Sequence, residues 1–96
     1  MSKTNYEEII LSCVSWQEAQ RIADELLKNR LINTAEFMEV KAQSFVGSAS
    51  KEIKEIKLIM RSLVSDFQAI EAEVSKLFGN KDFVLVRNIS IEPTIS

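Results

Sequence analysis

The residues able to do chemistry in this chain are few. No histidine occurs among its 96 residues, Cys13 is the one thiol, and there are two glycines and one proline. Without an imidazole there is no ready proton shuttle near neutral pH and no activator for the Ser and Thr hydroxyls, so the chain is expected not to be an enzyme. Loops that cradle phosphate need more glycine than this sequence holds. Cys13 is the candidate soft ligand for a divalent cation such as copper, yet it falls in the apolar run around Ile9, Ile10, Leu11 and Val14. A free cysteine in such a run ordinarily packs as a small hydrophobe.

Hard oxygen ligands could come from Glu52 and Glu55, Glu71 and Glu73, and Asp82. On a regular strand Glu52 and Glu55 point to opposite faces, and on a helix Glu71 and Glu73 stand about 200° apart, so solvated surface charge is their expected role. Arg61 and Arg87 lie in strand-like segments and could grip an anion between subunits; a salt bridge to an acid is the simpler expectation. Trp16, at the start of a helical pattern, could stack on a ligand and is expected to anchor the helix instead.

The elements that must position these residues read as βαββαβ. Tyr6 to Val14 has the nearly continuous apolar pattern of a covered strand. Ser15 with Glu18 forms a capping box, after which Trp16, Ala19, Ile22, Ala23, Leu26 and Leu27 recur at helical spacing up to Asn29 and Arg30. Thr34 to Val46 and Ser50 to Ser62 are rich in strand formers and join at Gly47-Ser48, a pair suited to a tight reversal. Apolar residues of the first of these strands change parity near Phe37 to Glu39, which predicts a bulge or bend there. Ser65 with Gln68 predicts a second capping box, with Ser62 a competing start, and Phe67, Ile70, Val74, Leu77 and Phe78 a second buried stripe ending at Gly79-Asn80. Phe83 to Ile91 is the last strand, and Pro93 keeps pairing from continuing.

Residues 1–96 make one domain of α+β class. A chain of this size buries only about 60 to 65% of the surface its unfolded form exposes, and one thiol cannot form an internal disulfide, so self-association is the expected remedy. Two strands of about 13 residues span roughly 43 Å, more than the ~32 Å diameter of a compact chain of this length. The hairpin must therefore overhang its core, and its outer end carries Phe45 and Val46. The expected interface between copies comprises Phe45, Val46 and Gly47 at that end with Ile56 and Leu58 along the second hairpin strand.

Twelve basic and 14 acidic residues, interspersed, give a formal charge of −2; no nucleic-acid partner is expected. Apolar runs fall far short of the ~20 residues of a membrane span, and Met1 to Asn5 holds no apolar signal core, so no membrane association and a cytoplasmic location are expected.

With the elements in this order the chain resembles the divalent-cation tolerance protein CutA family from Ile9 to Ile91. The resemblance is carried by SWQEAQRIADELLKNRLI, by FQAIEAEV after LIMRS, and by FVLVRNISI; the family's counterparts are an N-E-E-A-x-x-I-A-x-x-L-x-x-x-R-L-A helix, an F-P-A-L-E-x-x-I helix and a strand of V-P-E-I type. It implies a ferredoxin-like fold, antiparallel with both helices on one face, and a homotrimer in which the hairpin arms join sheets across subunits. It also implies a role in divalent-cation tolerance. Copper-binding members are proposed to use a Cys near the end of the first strand, where this chain has Cys13, and a His in an H-P-Y-E stretch, where this chain has GNKD from Gly79 to Asp82. The alternative is a trimer of the PII signalling type, which shares the fold and binds a small anionic ligand at subunit clefts; such proteins normally use a longer loop than the Gly47 turn.

Overall fold

The computed structural model describes residues 5–79 and 81–91, and the expectations placed on residues 1–4, on Asn80 and on Pro93 lie outside them. The element order is β1 (Asn5–Cys13), α1 (Trp16–Lys28), β2 (Thr34–Val46), β3 (Ala49–Leu63), a 3-10 turn (Val64–Asp66), α2 (Phe67–Phe78) and β4 (Leu85–Ile91). All strands pair antiparallel in one sheet of order β2-β3-β1-β4. This is a ferredoxin-like α+β fold, with the two helices on one face of the sheet.

The core lies between that face and the helices. Ile9, Leu11 and Cys13 of β1 and Ile56, Leu58 and Met60 of β3 meet Ala19, Ile22, Ala23 and Leu26 of α1 and Ile70 and Val74 of α2. Strand alternation and helical spacing thus converge on a single apolar layer. The start of α1 is fixed by its cap: Ser15 Oγ accepts the Glu18 N–H at 3.1 Å, and Glu18 Oε2 accepts the Val14 N–H at 3.4 Å, one residue earlier than a standard capping box uses. The helix ends in a Schellman motif, in which the Leu31 N–H reaches the Leu26 carbonyl at 2.9 Å and the Arg30 N–H reaches that of Leu27 at 3.0 Å. Arg30 takes the left-handed position, with φ 58°.

Two local expectations are corrected. Ser65 and Gln68 do not form a capping box: α2 starts at Phe67 directly out of the 3-10 turn, and Asp66 at its N-cap makes no side-chain capping bond. Continuity with the turn supplies the carbonyl geometry that a cap would otherwise set up. Nor is there a bulge at Phe37 to Glu39, since β2 and β3 pair without interruption from Thr34 opposite Arg61 to Val46 opposite Ala49. The parity change in the sequence has another cause, which is central to the site. The last strand begins at Leu85 rather than Phe83, whose ring instead packs edge-on against Phe78 with centroids 5.4 Å apart.

Candidate functional site

The hairpin of β2 and β3 leaves the body of the protein. The chain measures 56 × 27 × 18 Å and its radius of gyration is 15.5 Å, against about 12 Å for a compact chain of this length. Gly47 makes the reversal at the tip with φ 66°, the positive-φ first position of a two-residue hairpin turn. Phe45 and Val46 beside it are 80% and 65% exposed.

The two faces of this hairpin exchange character along its length. Near the body, Ala35 and Phe37 of β2 and Ile56, Leu58 and Met60 of β3 share the helix-covered face. The helices reach as far as Ile56. Beyond it the same face carries Lys41, Gln43, Glu52 and Lys54, with Lys41 Nζ 3.9 Å from a Glu52 oxygen. On the opposite, helix-free face the outer segment turns apolar: Val40 and Ala42 are half-buried, and Met38, Ile53 and Val46 are exposed. This is why the apolar residues of β2 change parity without a bulge. The helix-free face continues across the sheet through the in-register row Ile59, Ile10 and Val86, and Val84 lies exposed beside it. A monomer leaves that apolar strip in water, at a cost of about 25 cal/mol for each Å² that could be covered.

A second feature is the corner where β1 ends. Cys13 is 2% exposed on the helix-covered face, and its Sγ–H points to the Leu11 carbonyl at 3.9 Å. Burial, aided by the negative charge of Glu18 and opposed by Lys81, pushes the thiol up to about 11. Next to it an open groove of about 400 Å³ is lined by Ser15, Gln17, Glu18, Arg21, Leu77, Phe78 and Lys81. Lys81 Nζ donates to both oxygens of Glu18 at 2.9 and 3.1 Å and lies 5.1 Å from the Phe78 ring centroid. Arg21 donates to the Leu77 carbonyl at the end of α2.

A third feature is an ion pair under β4. Glu7 is fully buried, and its two oxygens accept from Arg87 Nε at 2.5 Å and Nη2 at 2.8 Å. The guanidinium stacks 3.7 Å from the Phe67 ring centroid. The hydrogen bond that Arg87 donates to Glu7 raises the guanidinium above its ordinary range, against an opposing effect of desolvation. Such a fork fixes both distance and angle between two strands. The sequence carried a signal for it: Glu7 shares parity with Ile9, Leu11 and Cys13 and so had to turn inward and find a cation.

Of the residues singled out in the sequence, Phe45, Val46 and Gly47 stand together at the arm's exposed end. Ile56 and Leu58 do not join them; both are buried in the chain's own core, beneath its helices. The outward neighbours Ile53 and Ile59 occupy the face that remains open. Arg87 is consumed by Glu7, and Arg61 lies 4.8 Å from the Tyr6 ring centroid. Trp16 packs on Phe37 with centroids 6.0 Å apart, anchoring the helix start to β2. Glu55 pairs with Lys57 at 3.3 Å. Among the described residues, no three His, Cys, Asp or Glu side chains come together to hold a metal ion, and no helix is long and apolar enough to cross a membrane.

No protein-family model and no curated protein matches the chain. Solved structures do. The periplasmic divalent cation tolerance protein CutA from Archaeoglobus fulgidus matches with a TM-score of 0.77 at 20% identity, over 94% of this chain and 87% of that one. CutA1 from Pyrococcus horikoshii matches with a TM-score of 0.78 at 18% identity, over 92% and 86%. The divalent ion tolerance protein CutA1 from Ehrlichia chaffeensis matches with a TM-score of 0.76 at 18% identity, over 99% and 87%. At these identities the likeness establishes a shared fold across nearly the whole length.

Proposed function

We propose that the chain belongs to the CutA family and acts as a non-enzymatic cytoplasmic homotrimer with a role in divalent-cation tolerance. Three lines support this reading. The fold is that of the CutA and divalent ion tolerance structures to which the chain is similar. The sequence patterns of both helices resemble the family's. The observation that carries the assembly is the exchange of faces along the hairpin, because the apolar outer segment lies where the chain's own helices cannot reach. An apolar strip on an overhanging ribbon is stable when a neighbouring copy covers it, and a closed ring lets every copy do so for the next.

The function follows from assembly rather than from a reactive group. Three copies would enclose clefts between their arms, and the cation connection is read as a property of that assembly, since one copy gathers no ligand cluster among its described residues. The second reading, a PII-like trimer holding a small anion, has less support: the Gly47-Ser48 turn is two residues long and carries no basic loop.

Light scattering on the eluting protein at about 10 μM tests the proposal. The expected mass is three times that of the chain; a monomer at that concentration would sink the reading. Ile53→Glu places a charge on the helix-free face of the arm without entering the core and is expected to dissociate the assembly into folded single chains.

A further inference from the structure

We infer that the corner at the end of β1 is closed by the chain's own ammonium group, Lys81 on Glu18, and is not a divalent-cation site in this protein. The resemblance leads one to expect a cation held by a cysteine ending the first strand together with a side chain from the segment before the last strand. Among the described residues the sequence supplies Cys13, Lys81 and the exposed Asp82 there, and neither the thiol nor the ammonium fits. The thiol faces the packed side of the sheet and bonds within its own strand, to the Leu11 carbonyl. A metal takes the thiolate, which burial disfavours here by raising the thiol to about 11.

Lys81 brings a positive charge to the place where a second ligand is needed. Its Nζ holds both oxygens of Glu18, and Glu18 Oε2 is further engaged by the Val14 N–H. The carboxylate that could draw a cation is therefore already neutralised by a charge tethered to the same chain. Arg21, bonded to the Leu77 carbonyl, adds a second cation to the groove. A divalent ion approaching this groove meets two cationic side chains and a Glu18 carboxylate that is already engaged. The arrangement works as a clasp: Lys81 ties the stretch after Gly79 to the first turn of α1, and Arg21 ties α1 to the end of α2.

This deepens the family reading on which it rests, by excluding one route for its cation link, and its test is independent of the mass measurement. The purified full-length chain is dialysed against copper(II) and, separately, zinc(II), beside Cys13→Ala. Bound metal per chain is expected to be the same in both proteins, nil included. Because Cys13→Ala alters the core, the wild-type thiol is measured as well: labelling by a maleimide in the native protein is expected to be at least about 100-fold slower than after unfolding in guanidinium, since it awaits opening of the core. Lys81→Met is expected to lower the melting midpoint by about 2 to 4 °C, equally with and without either metal. Copper bound near one per chain and lost in Cys13→Ala, or a native thiol that labels as fast as the unfolded one, overturns the inference. A trimer that binds copper through Cys13 would sink this inference alone, whereas a monomer with an inert thiol would sink the assembly reading alone.

Discussion

The inner and outer halves of the β2–β3 hairpin are built from one uninterrupted ladder, yet they carry their apolar side chains on opposite faces. The inner half buries Ile56, Leu58 and Met60 under α1 and α2, whereas the outer half turns Val40, Ala42 and Ile53 away from the helix side and leaves Phe45 in water at its end. Backbone pairing is the same in both. What differs is whether the chain's own helices cover the apolar face. The inner half is covered within a single copy; the outer half presents an apolar strip that none of the described helices covers.

The largest effect is expected where the inner half is broken. Leu58→Ala removes a side chain that is fully buried in the core and should cost about 3 kcal/mol in equilibrium unfolding, as truncation of core leucines does. The matching change in the outer half, Phe45→Ser, should leave single-chain stability within about 0.5 kcal/mol, because that ring contacts little of its own chain. Its effect should appear as a mass that falls on dilution. A Phe45→Ser chain as destabilised as Leu58→Ala at a concentration where both are monomeric would erase the distinction between the halves. Glu7→Gln should lower the melting midpoint by rather less than Leu58→Ala, since it keeps one acceptor for Arg87 while removing the charge that the fork matches.

Cys13 sharpens the contrast through pH. Its thiol is raised in the folded protein from an ordinary value of 9.0 to about 11, chiefly by burial. The native state therefore holds its proton in a range where the unfolded chain has lost it. The associated stability is fully present below about pH 9 and is lost as pH rises from 9 toward 11, by about 2 kcal/mol in all. Denaturant midpoints measured at pH 8, 9, 10 and 11 should decline more steeply for the wild type than for Cys13→Ala. Parallel declines would mean that the thiol is not held in the packed inner region.

The fold was readable because its signals are local and mutually consistent: Ser15 with Glu18 set the start of α1, the spacing from Trp16 to Leu27 gave its buried face, and Gly47 marked the reversal. The second capping box failed because Ser65 and Gln68 fit the pattern in sequence while the chain enters α2 through a 3-10 turn, a tertiary choice that no local pattern encodes. The parity change in β2 was legible as a pattern but not as a cause. A bulge and an exchange of covering layers leave the same trace in one strand, and only the unbroken register to β3 separates them. For the same reason Ile56 and Leu58 read as equivalent to Phe45: how far the helices extend over the hairpin is set by packing. Arg87 could be matched to an acid in principle, but choosing Glu7 required knowing that β1 and β4 are neighbours.

The smallest effect concerns the end of α1 and asks whether the inner half can be strengthened alone. Arg30 occupies the left-handed position of the Schellman motif with φ 58°, a conformation in which a side chain's Cβ crowds the backbone and which glycine adopts freely. Arg30→Gly relieves that crowding but also gives the unfolded chain more freedom, so the net gain should be about 0.5 kcal/mol, read as a higher urea midpoint with an unchanged slope. The position lies on the loop leading into β2, well before the overhanging segment, so the mass of the assembly and its response to dilution should not move. A gain in stability accompanied by tighter association would show that the body and the arm are energetically one unit, and that the division of the hairpin into a half held by its own chain and a half held by a neighbour is too sharp.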